Sequence, residues 1–372
     1  MATDSCGLYV HIPYCVKKCN YCDFCSVPNG RAEVPTDYVK ALSSEMLSYK
    51  QEPKIVIDTV YFGGGTPSLL SVQHMEKIFD AIRESFSISD GAELTFEANP
   101  GTLTQEKAEA FKELGFNRVS LGLQSVHEKE MKKLGRIHTY DEFVSAFSYL
   151  RAAGFDNINV DLMYGIPHQT KESFADTLRT VVSLSPEHIS AYGLMVEDGT
   201  PFFAERDKLP LPTLDEECDM YEMCTDILAD AGYEHYEISN YAKTGKRSRH
   251  NLIYWRSAEY IGVGASAHSF FGGKRYSNTD NVGDYISGVG IHSLIDEKDA
   301  DKAFEYAMLS LRLKDGMSLS NYRERFGVYF TEGKEDILSR LAAEGLLTLS
   351  NDRIALTERG FYLSNSILVE IL

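Results

Sequence analysis

The feature that most limits what this chain can fold into is a regular alternation of strand-like and helix-like segments through its first two-thirds. Short runs rich in Val, Ile, Phe and Tyr at Gly7–Pro13, Ile55–Phe62, Glu93–Ala98, Asn117–Leu123, Asn157–Met163 and His188–Leu194 read as strands. Asp37–Lys50, Val72–Phe86, Gln105–Leu114, Asp141–Ala153 and Lys171–Leu184 read as helices between them, and Leu214–Ala231 follows the last strand. Thr139-x-x-Glu142 and Thr213-x-x-Glu216 are capping-box starts, and Gly115, Gly154 and Gly232 fall where helices should stop. Such a series of units implies a parallel sheet with helices outside it. Right-handed crossovers wind it into either a doubly wound sheet or a partial barrel, and pattern alone does not choose. Glu97, Gln124 and Asp161 lie at or near predicted C-terminal strand ends, the face where α/β barrels place their chemistry.

After Ala242 the alternation breaks. Residues 243–298 read as a connecting segment, rich in Arg, Trp, Tyr, His and Gly between Arg247 and Phe271. Residues 299–372 read as helix (Lys302–Leu313), helix (Leu319–Phe326), helix (Lys334–Glu344), hairpin (Leu346–Leu356) and helix (Gly360–Ile371), a winged-helix order. Many such units bind DNA. Here residues 301–372 hold 9 Lys+Arg against 11 Asp+Glu, which favours a packing or protein-contact role.

The net charge of −18 argues against nucleic acid and anionic lipid as general partners. No apolar run reaches the length of a membrane span. Met1–Cys6 has neither a basic region nor an apolar core, so no signal peptide is expected and the cytoplasm is the default location.

Four of the seven cysteines fall between positions 15 and 25. In a reducing compartment such a cluster reads as metal binding. The run is Tyr9-Val-His-Ile-Pro-Tyr-Cys15-Val-Lys-Lys-Cys19-Asn-Tyr-Cys22-Asp-Phe-Cys25. Thiolates ligate iron–sulfur clusters, and three on one short loop can each reach a different iron of a cube, leaving the fourth iron open to chelation by a methionine. Cys25 is a bystander thiol, a fourth ligand or a zinc ligand. Zinc ranks last because no second knuckle exists, and the bystander reading ranks first.

Tyr61-Phe-Gly63-Gly-Gly-Thr-Pro67 follows the second predicted strand. Its glycines allow close backbone approach, with free N–H and C=O groups for a ligand's amino group. A phosphate loop is the runner-up, but no Lys follows the glycines.

The two loops together resemble the radical S-adenosylmethionine superfamily. More narrowly, the sequence is similar to the group holding oxygen-independent coproporphyrinogen III oxidases and HemW-type haem chaperones. Further motifs shared with that group are Phe96-Glu-Ala-Asn-Pro100, Leu121-Gly-Leu-Gln-Ser125, Leu134-Gly-Arg-Ile-His138 and Asp161-Leu-Met-Tyr-Gly-Ile-Pro167. The resemblance implies a partial (β/α)6 TIM-like barrel over residues 1–242. It also implies a [4Fe–4S] cluster on Cys15, Cys19 and Cys22, with S-adenosylmethionine as cosubstrate. It assigns Tyr9 to a place against the cosubstrate, and Gly64, Gly65 and Thr66 to its methionine part. Glu97, Gln124, Arg136 and Asp161 are assigned to its ribose or carboxylate. A structural cap or surface ion pair is the alternative for each.

Two features bear on oxidase against chaperone. The oxidases carry a long N-terminal extension and a Cys-x3-Cys-x2-Cys-x-Cys run; here fourteen residues precede Cys15, and Phe24 stands where the fourth cysteine would be. The chaperones carry a segment like Arg249-His-Asn-Leu-Ile-Tyr-Trp255. His250 can ligate haem iron, Tyr254 and Trp255 offer flat apolar surface, and Lys246, Arg247 and Arg249 can face propionates. The equal alternative is a buried His and Trp closing one end of the barrel. His268 is a weaker haem candidate. The leading expectation is a haem chaperone that passes haem to an acceptor protein, a membrane-bound one included, with a flavodoxin- or ferredoxin-type electron donor. The second is oxidative decarboxylation of coproporphyrinogen III through a 5′-deoxyadenosyl radical. A radical transferase acting on haem is third.

Overall fold

The computed structural model describes residues 6–30, 32–295 and 299–372. Residues 1–5, within the segment read for a signal peptide, and the boundary drawn at 298 lie outside the described residues.

The six predicted strands form as β1 (Gly7–Ile12), β2 (Ile55–Gly64), β3 (Phe86–Ala98), β4 (Arg118–Gln124), β5 (Ile158–Tyr164) and β6 (His188–Gly193). Each pairs in parallel with the next in sequence. The intervening helices are α1 (Thr36–Ser48), α2 (Val72–Ser85), α3 (Gln105–Leu114), α4 (Glu128–Leu134), α5 (Tyr140–Ala152) and α6 (Lys171–Ser183), and α7 (Leu214–Asp230) follows β6. Both expected capping boxes form, at Thr139/Glu142 and Thr213/Glu216. Gly115 ends α3 in the left-handed conformation, φ 111°, which only glycine adopts without strain. One apolar cluster runs from β1 through β6 and their helices, as both faces of a parallel sheet require.

Sequence reading missed the strands that widen this arc. Short β8 (Asn240–Ala242) adds antiparallel to β6, and β7 (Glu234–Glu237) pairs antiparallel with β8 at the edge. On the opposite edge β9 (Tyr260–Val263) adds parallel to β1, followed by antiparallel β10 (His268–Phe271), β11 (Lys274–Ser277) and β12 (Ser293–Ile295). The sheet order is β12-β11-β10-β9-β1-β2-β3-β4-β5-β6-β8-β7. Strands of three or four residues fall below what alternation can register. The segment after Ala242 therefore both extends the sheet and supplies α8 (Arg249–Trp255), a helix that sequence reading also missed.

The C-terminal unit has its own apolar cluster. It comprises α9 (Asp299–Ser310), β13 (Met317–Ser318), α10 (Leu319–Phe326), α11 (Glu335–Ala343), the hairpin β14 (Leu347–Leu349) and β15 (Arg353–Leu356), then α12 (Glu358–Tyr362) and α13 (Ser364–Ile371). The single last helix expected is thus two, breaking at Leu363. The unit docks beside β7, where Ile238 N donates to Arg312 O at 3.1 Å and Lys314 N to Tyr236 O at 3.0 Å. Among the described residues no helix is long and apolar enough to cross a membrane.

Candidate functional site

The site is built at the C-terminal mouth of the arc. β1 delivers the chain into the cysteine loop, where Tyr14–Cys15 pairs with Val27–Pro28. Cys15, Cys19 and Cys22 are half-buried free thiols, and burial raises Cys15 and Cys22 above the usual thiol range. Two donors aim at their sulfurs. Thr66 Oγ1 donates to Cys15 Sγ at 3.6 Å, and Arg136 Nη1 to Cys19 Sγ at 3.7 Å. Cys25 turns away, its thiol donating to Asp280 O at 3.3 Å in the segment after β11. Among the described residues no three His, Cys, Asp or Glu side chains converge on a single-ion site.

The glycine loop backs the cysteine loop closely. Gly65 N donates to Ile12 O at 2.8 Å, and a Cβ at Gly65 would lie 2.7 Å from Tyr14 O and 2.9 Å from Ile12 O. Gly64 has φ 108°, and a Cβ there would strike the His11 ring. Both positions therefore need glycine, and Gly65 packs against Tyr14, the residue before Cys15.

Across the mouth, Glu97 on β3 accepts from Tyr61 OH at 2.8 Å and Gly64 N at 3.2 Å. Burial raises its carboxyl to about 7, against the lowering effect of the Tyr61 bond. Asp161 on β5 accepts from Ser120 Oγ at 2.9 Å and Asn159 Nδ2 at 2.8 Å, and burial raises it too. Gln124, at a register shift between β4 and β5, has φ 74° and is 8% exposed. Arg136 Nη2 donates to Gly122 O at 2.7 Å, while its buried Nε has no partner among the described residues. Tyr9 OH pairs with His11 Nδ1 at 2.9 Å, and His11 Nε2 with Cys25 O at 3.0 Å. Thus the structure gathers Tyr9, the three cysteines, Gly64, Gly65, Thr66, Glu97 and Arg136 into one linked region, with Gln124 and Asp161 on the neighbouring strands. Sequence reading missed Tyr61 and His11. Alternation supplied the signal, since Tyr61 is two residues from Gly63, and His11 two from Tyr9, on the same strand faces.

His250 borders this region, its ring stacked 6.4 Å from that of Tyr9. The buried Glu93 carboxylate accepts the backbone N–H groups of Arg249 and His250, both at 3.0 Å, and so anchors the start of α8. The imidazole points into the barrel, 5.0 Å from the Tyr61 ring in a stacked arrangement. Its Nδ1 pairs with Thr59 Oγ1 at 2.7 Å and its Nε2 with Tyr254 OH at 2.8 Å. The residue is 1% exposed, and burial lowers its pKa to about 3. Both ring nitrogens are thus engaged, which favours the packing alternative over iron ligation. Trp255 packs with Tyr236, Leu252 and Leu313. The neighbouring cations do not assemble around His250: Lys246 donates to Asp156 O, Arg247 meets Glu234 and Asp315, and Arg249 donates to Gly91 O. His268 is exposed on β10.

Fold and thiol loop together define the class: residues 9–181 match the radical SAM superfamily profile, and residues 298–363 match the HemN C-terminal domain profile. A solved structure described as coproporphyrinogen III oxidase (HemN) from Escherichia coli, a radical SAM enzyme, superposes with a TM-score of 0.85 at 23% identity, covering 99% of this chain and 90% of that one. Sequence relatives narrow it further. The heme chaperone HemW of Lactococcus lactis is 36% identical over 98% of this chain and 96% of its own length. That of Escherichia coli is 37% identical over 97% of each. The chain belongs to the HemW family of the radical SAM superfamily.

Proposed function

We propose that this protein is a haem chaperone that binds haem and hands it to an acceptor protein, carrying a [4Fe–4S] cluster and S-adenosylmethionine. The observation that carries the reading is the end-to-end similarity to several proteins named heme chaperone HemW.

The residues at the mouth fit both groups. Cys15, Cys19 and Cys22 are the cluster ligands in this reading, and the Thr66 and Arg136 donors would stabilise thiolate over thiol. The unpartnered Nε of Arg136 suits a carboxylate. Gly64, Gly65 and Thr66 line the methionine side, with Tyr9 against the cosubstrate. Glu97, Gln124 and Asp161 lie on the ribose or carboxylate side in this reading, and the glycine loop takes the amino group. When bound, the cluster supplies an electron and the cosubstrate a sulfonium open to reductive cleavage. The chain's own part is to fix orientation, hold Glu97 through Tyr61 and Gly64, and keep water from the mouth. We read residues 1–242 as the radical core, 243–298 as a connecting segment and 299–372 as a winged-helix-like unit, supported by the separate C-terminal apolar cluster. The cytoplasm, a flavodoxin- or ferredoxin-type donor and a haem-accepting partner, soluble or membrane-bound, complete the reading.

The test is anaerobic reconstitution of the cluster, followed by haem titration, transfer of haem to an apo-acceptor, and coproporphyrinogen turnover with a competent reductant. Saturable haem binding and transfer without protoporphyrinogen formation are expected. Protoporphyrinogen formation would assign the oxidase activity instead, and absence of a Soret change would remove the chaperone reading.

A further inference from the structure

A row of polar side chains crosses the inner face of β4, β5 and β6. Ser120, Asn159 and His188 stand side by side on the three strands, and Asp161 and Ser190 occupy the next same-face step toward the mouth. Ser120, Asn159, His188 and Ser190 are buried, whereas Asp161 reaches partly accessible space.

Hydrogen bonds join the row, and the chemistry at one end fixes the direction of all of them. An ionised carboxylate only accepts. The atoms facing Asp161 are therefore donors, Ser120 Oγ at 2.9 Å and Asn159 Nδ2 at 2.8 Å. Asn159 Nδ2 gives its second proton to Ser120 Oγ at 2.7 Å. With its nitrogen committed, Asn159 turns Oδ1 toward His188, whose Nδ1 lies 2.6 Å away. A carbonyl oxygen has no proton to give, so His188 Nδ1 carries it. Burial lowers the His188 pKa well below its ordinary value, which keeps the ring neutral. Its Nε2 is then bare, and Tyr236 OH donates to it at 2.8 Å. The Tyr236 hydroxyl oxygen in turn accepts from Ser248 N at 3.2 Å, at the N-cap of α8. Each proton from Ser248 to Ser120 thus points along the chain toward Asp161.

Two groups hold Asn159 Oδ1, His188 Nδ1 and Ser190 Oγ, the latter at 3.1 Å. The Ser190 hydroxyl rotates and can donate or accept, so it tolerates either orientation of the amide. The His188 ring, its tautomer set by Tyr236, tolerates only one. A flipped amide would turn Oδ1 toward the Asp161 carboxylate, oxygen against oxygen.

We propose that His188 is a positioning residue for the cosubstrate, fixing the Asp161 carboxylate through Asn159 as an acceptor for ribose hydroxyls at the mouth. The proposal rests on the cosubstrate reading above.

The experiment measures S-adenosylmethionine affinity by calorimetry on the full-length, anaerobically reconstituted protein. Wild type, His188→Gln, His188→Asn, Asp161→Asn and the double variant of His188→Gln with Asp161→Asn are compared. Gln sets its amide at the Nε2 position, so it keeps Tyr236 and loses the donor to Asn159. Asn sets an amide N–H at the Nδ1 position, so it keeps that donor and loses Tyr236. His188→Gln should weaken binding about tenfold, and His188→Asn should stay within about threefold of wild type. In the Asp161→Asn background His188→Gln should cost nothing further, because its effect travels through that carboxylate. Equal losses in the two single His188 variants, or additive losses in the double variant, would make His188 a structural residue and overturn the proposal while leaving the cosubstrate reading intact. Proton–nitrogen NMR of the histidine rings in the cluster-free wild type keeps the test decisive if a variant fails to fold. It should show His188 neutral with its proton on Nδ1, and a proton on Nε2 overturns the proposal. A reconstituted wild type that binds no S-adenosylmethionine overturns the cosubstrate reading and the proposal with it.

Discussion

Replacing His250 by Gln separates the buried-histidine reading from any exposed role through its pH dependence. The His250 ring bridges Thr59 Oγ1 and Tyr254 OH and stacks on Tyr61. Gln reaches the Nε2 position but has no polar atom in place of Nδ1 and no ring to stack, so it holds at most part of that chain and the variant should lose about 2–4 kcal/mol at pH 7. The folded protein holds His250 neutral, its pKa lowered to about 3 from 6.5. The unfolded chain therefore takes up the proton first, and wild-type stability falls as pH drops below about 6.5 and continues to fall toward 3. At pH 5 this costs the wild type roughly 2 kcal/mol, and almost nothing at pH 7. The variant has no such proton to take up. Its deficit relative to wild type should therefore shrink by roughly 2 kcal/mol between pH 7 and pH 5. Groups common to both proteins cancel in the difference. They include Glu97 and Glu237, whose pKa values burial raises to about 7 and about 8 and which stabilise in the opposite direction on acidification. Urea unfolding of the cluster-free chain at the two pH values, followed by circular dichroism, gives the four free energies. A deficit that stays constant with pH would refute a neutral, buried imidazole.

Other consequences follow from single contacts. Gly65→Ala brings a methyl against Tyr14 O and Ile12 O and should cost about 1–3 kcal/mol while lowering iron incorporation; wild-type iron content and melting temperature would defeat the packing argument. Thr66→Val removes the hydroxyl that donates to Cys15 Sγ and should lower the reduction potential of the cluster in a dye-mediated titration followed by electron paramagnetic resonance; an unchanged potential counts against that bond. Arg136→Gln should weaken S-adenosylmethionine binding about tenfold by calorimetry, and equal affinity would remove Arg136 from the site. The buried Glu45 carboxylate accepts from Gly264 N (2.8 Å), Asn278 Nδ2 (2.7 Å), Tyr285 OH (2.5 Å) and His292 Nε2 (3.1 Å), clipping α1 to the segment beyond β9. Glu45→Ala should lose about 3–5 kcal/mol and make residues 278–292 sensitive to limited proteolysis; resistance equal to wild type would show the clip to be dispensable.

Local chemistry was legible in the order of residues. Parallel β1 to β6 and their helices follow from hydrophobic period and capping residues, because those signals act over a few neighbouring positions. The three thiols and the glycine loop are likewise local, since each is a short run whose spacing is its meaning. Sequence also held an unread signal. Polar residues alternate along the strands as Thr59 and Tyr61, as Glu93, Thr95 and Glu97, and as Asn159 and Asp161, a period of two that puts each set on one strand face.

Pairings across long separations needed the folded chain. That Arg136 would meet Cys19, and Thr66 meet Cys15, depends on how α4 and the glycine loop close over the first loop. That the His250 imidazole would be spent on Thr59 and Tyr254 depends on Glu93, more than 150 residues earlier in the chain, seizing the start of α8. Asn159 and Tyr236 lie far apart in sequence, and only the pairing of β5 with β6 and the closing of the sheet edge bring both to the His188 ring. Sequence fixes which groups are available over a few residues; burial and tertiary contact decide which of them are already satisfied and which remain free to take a ligand.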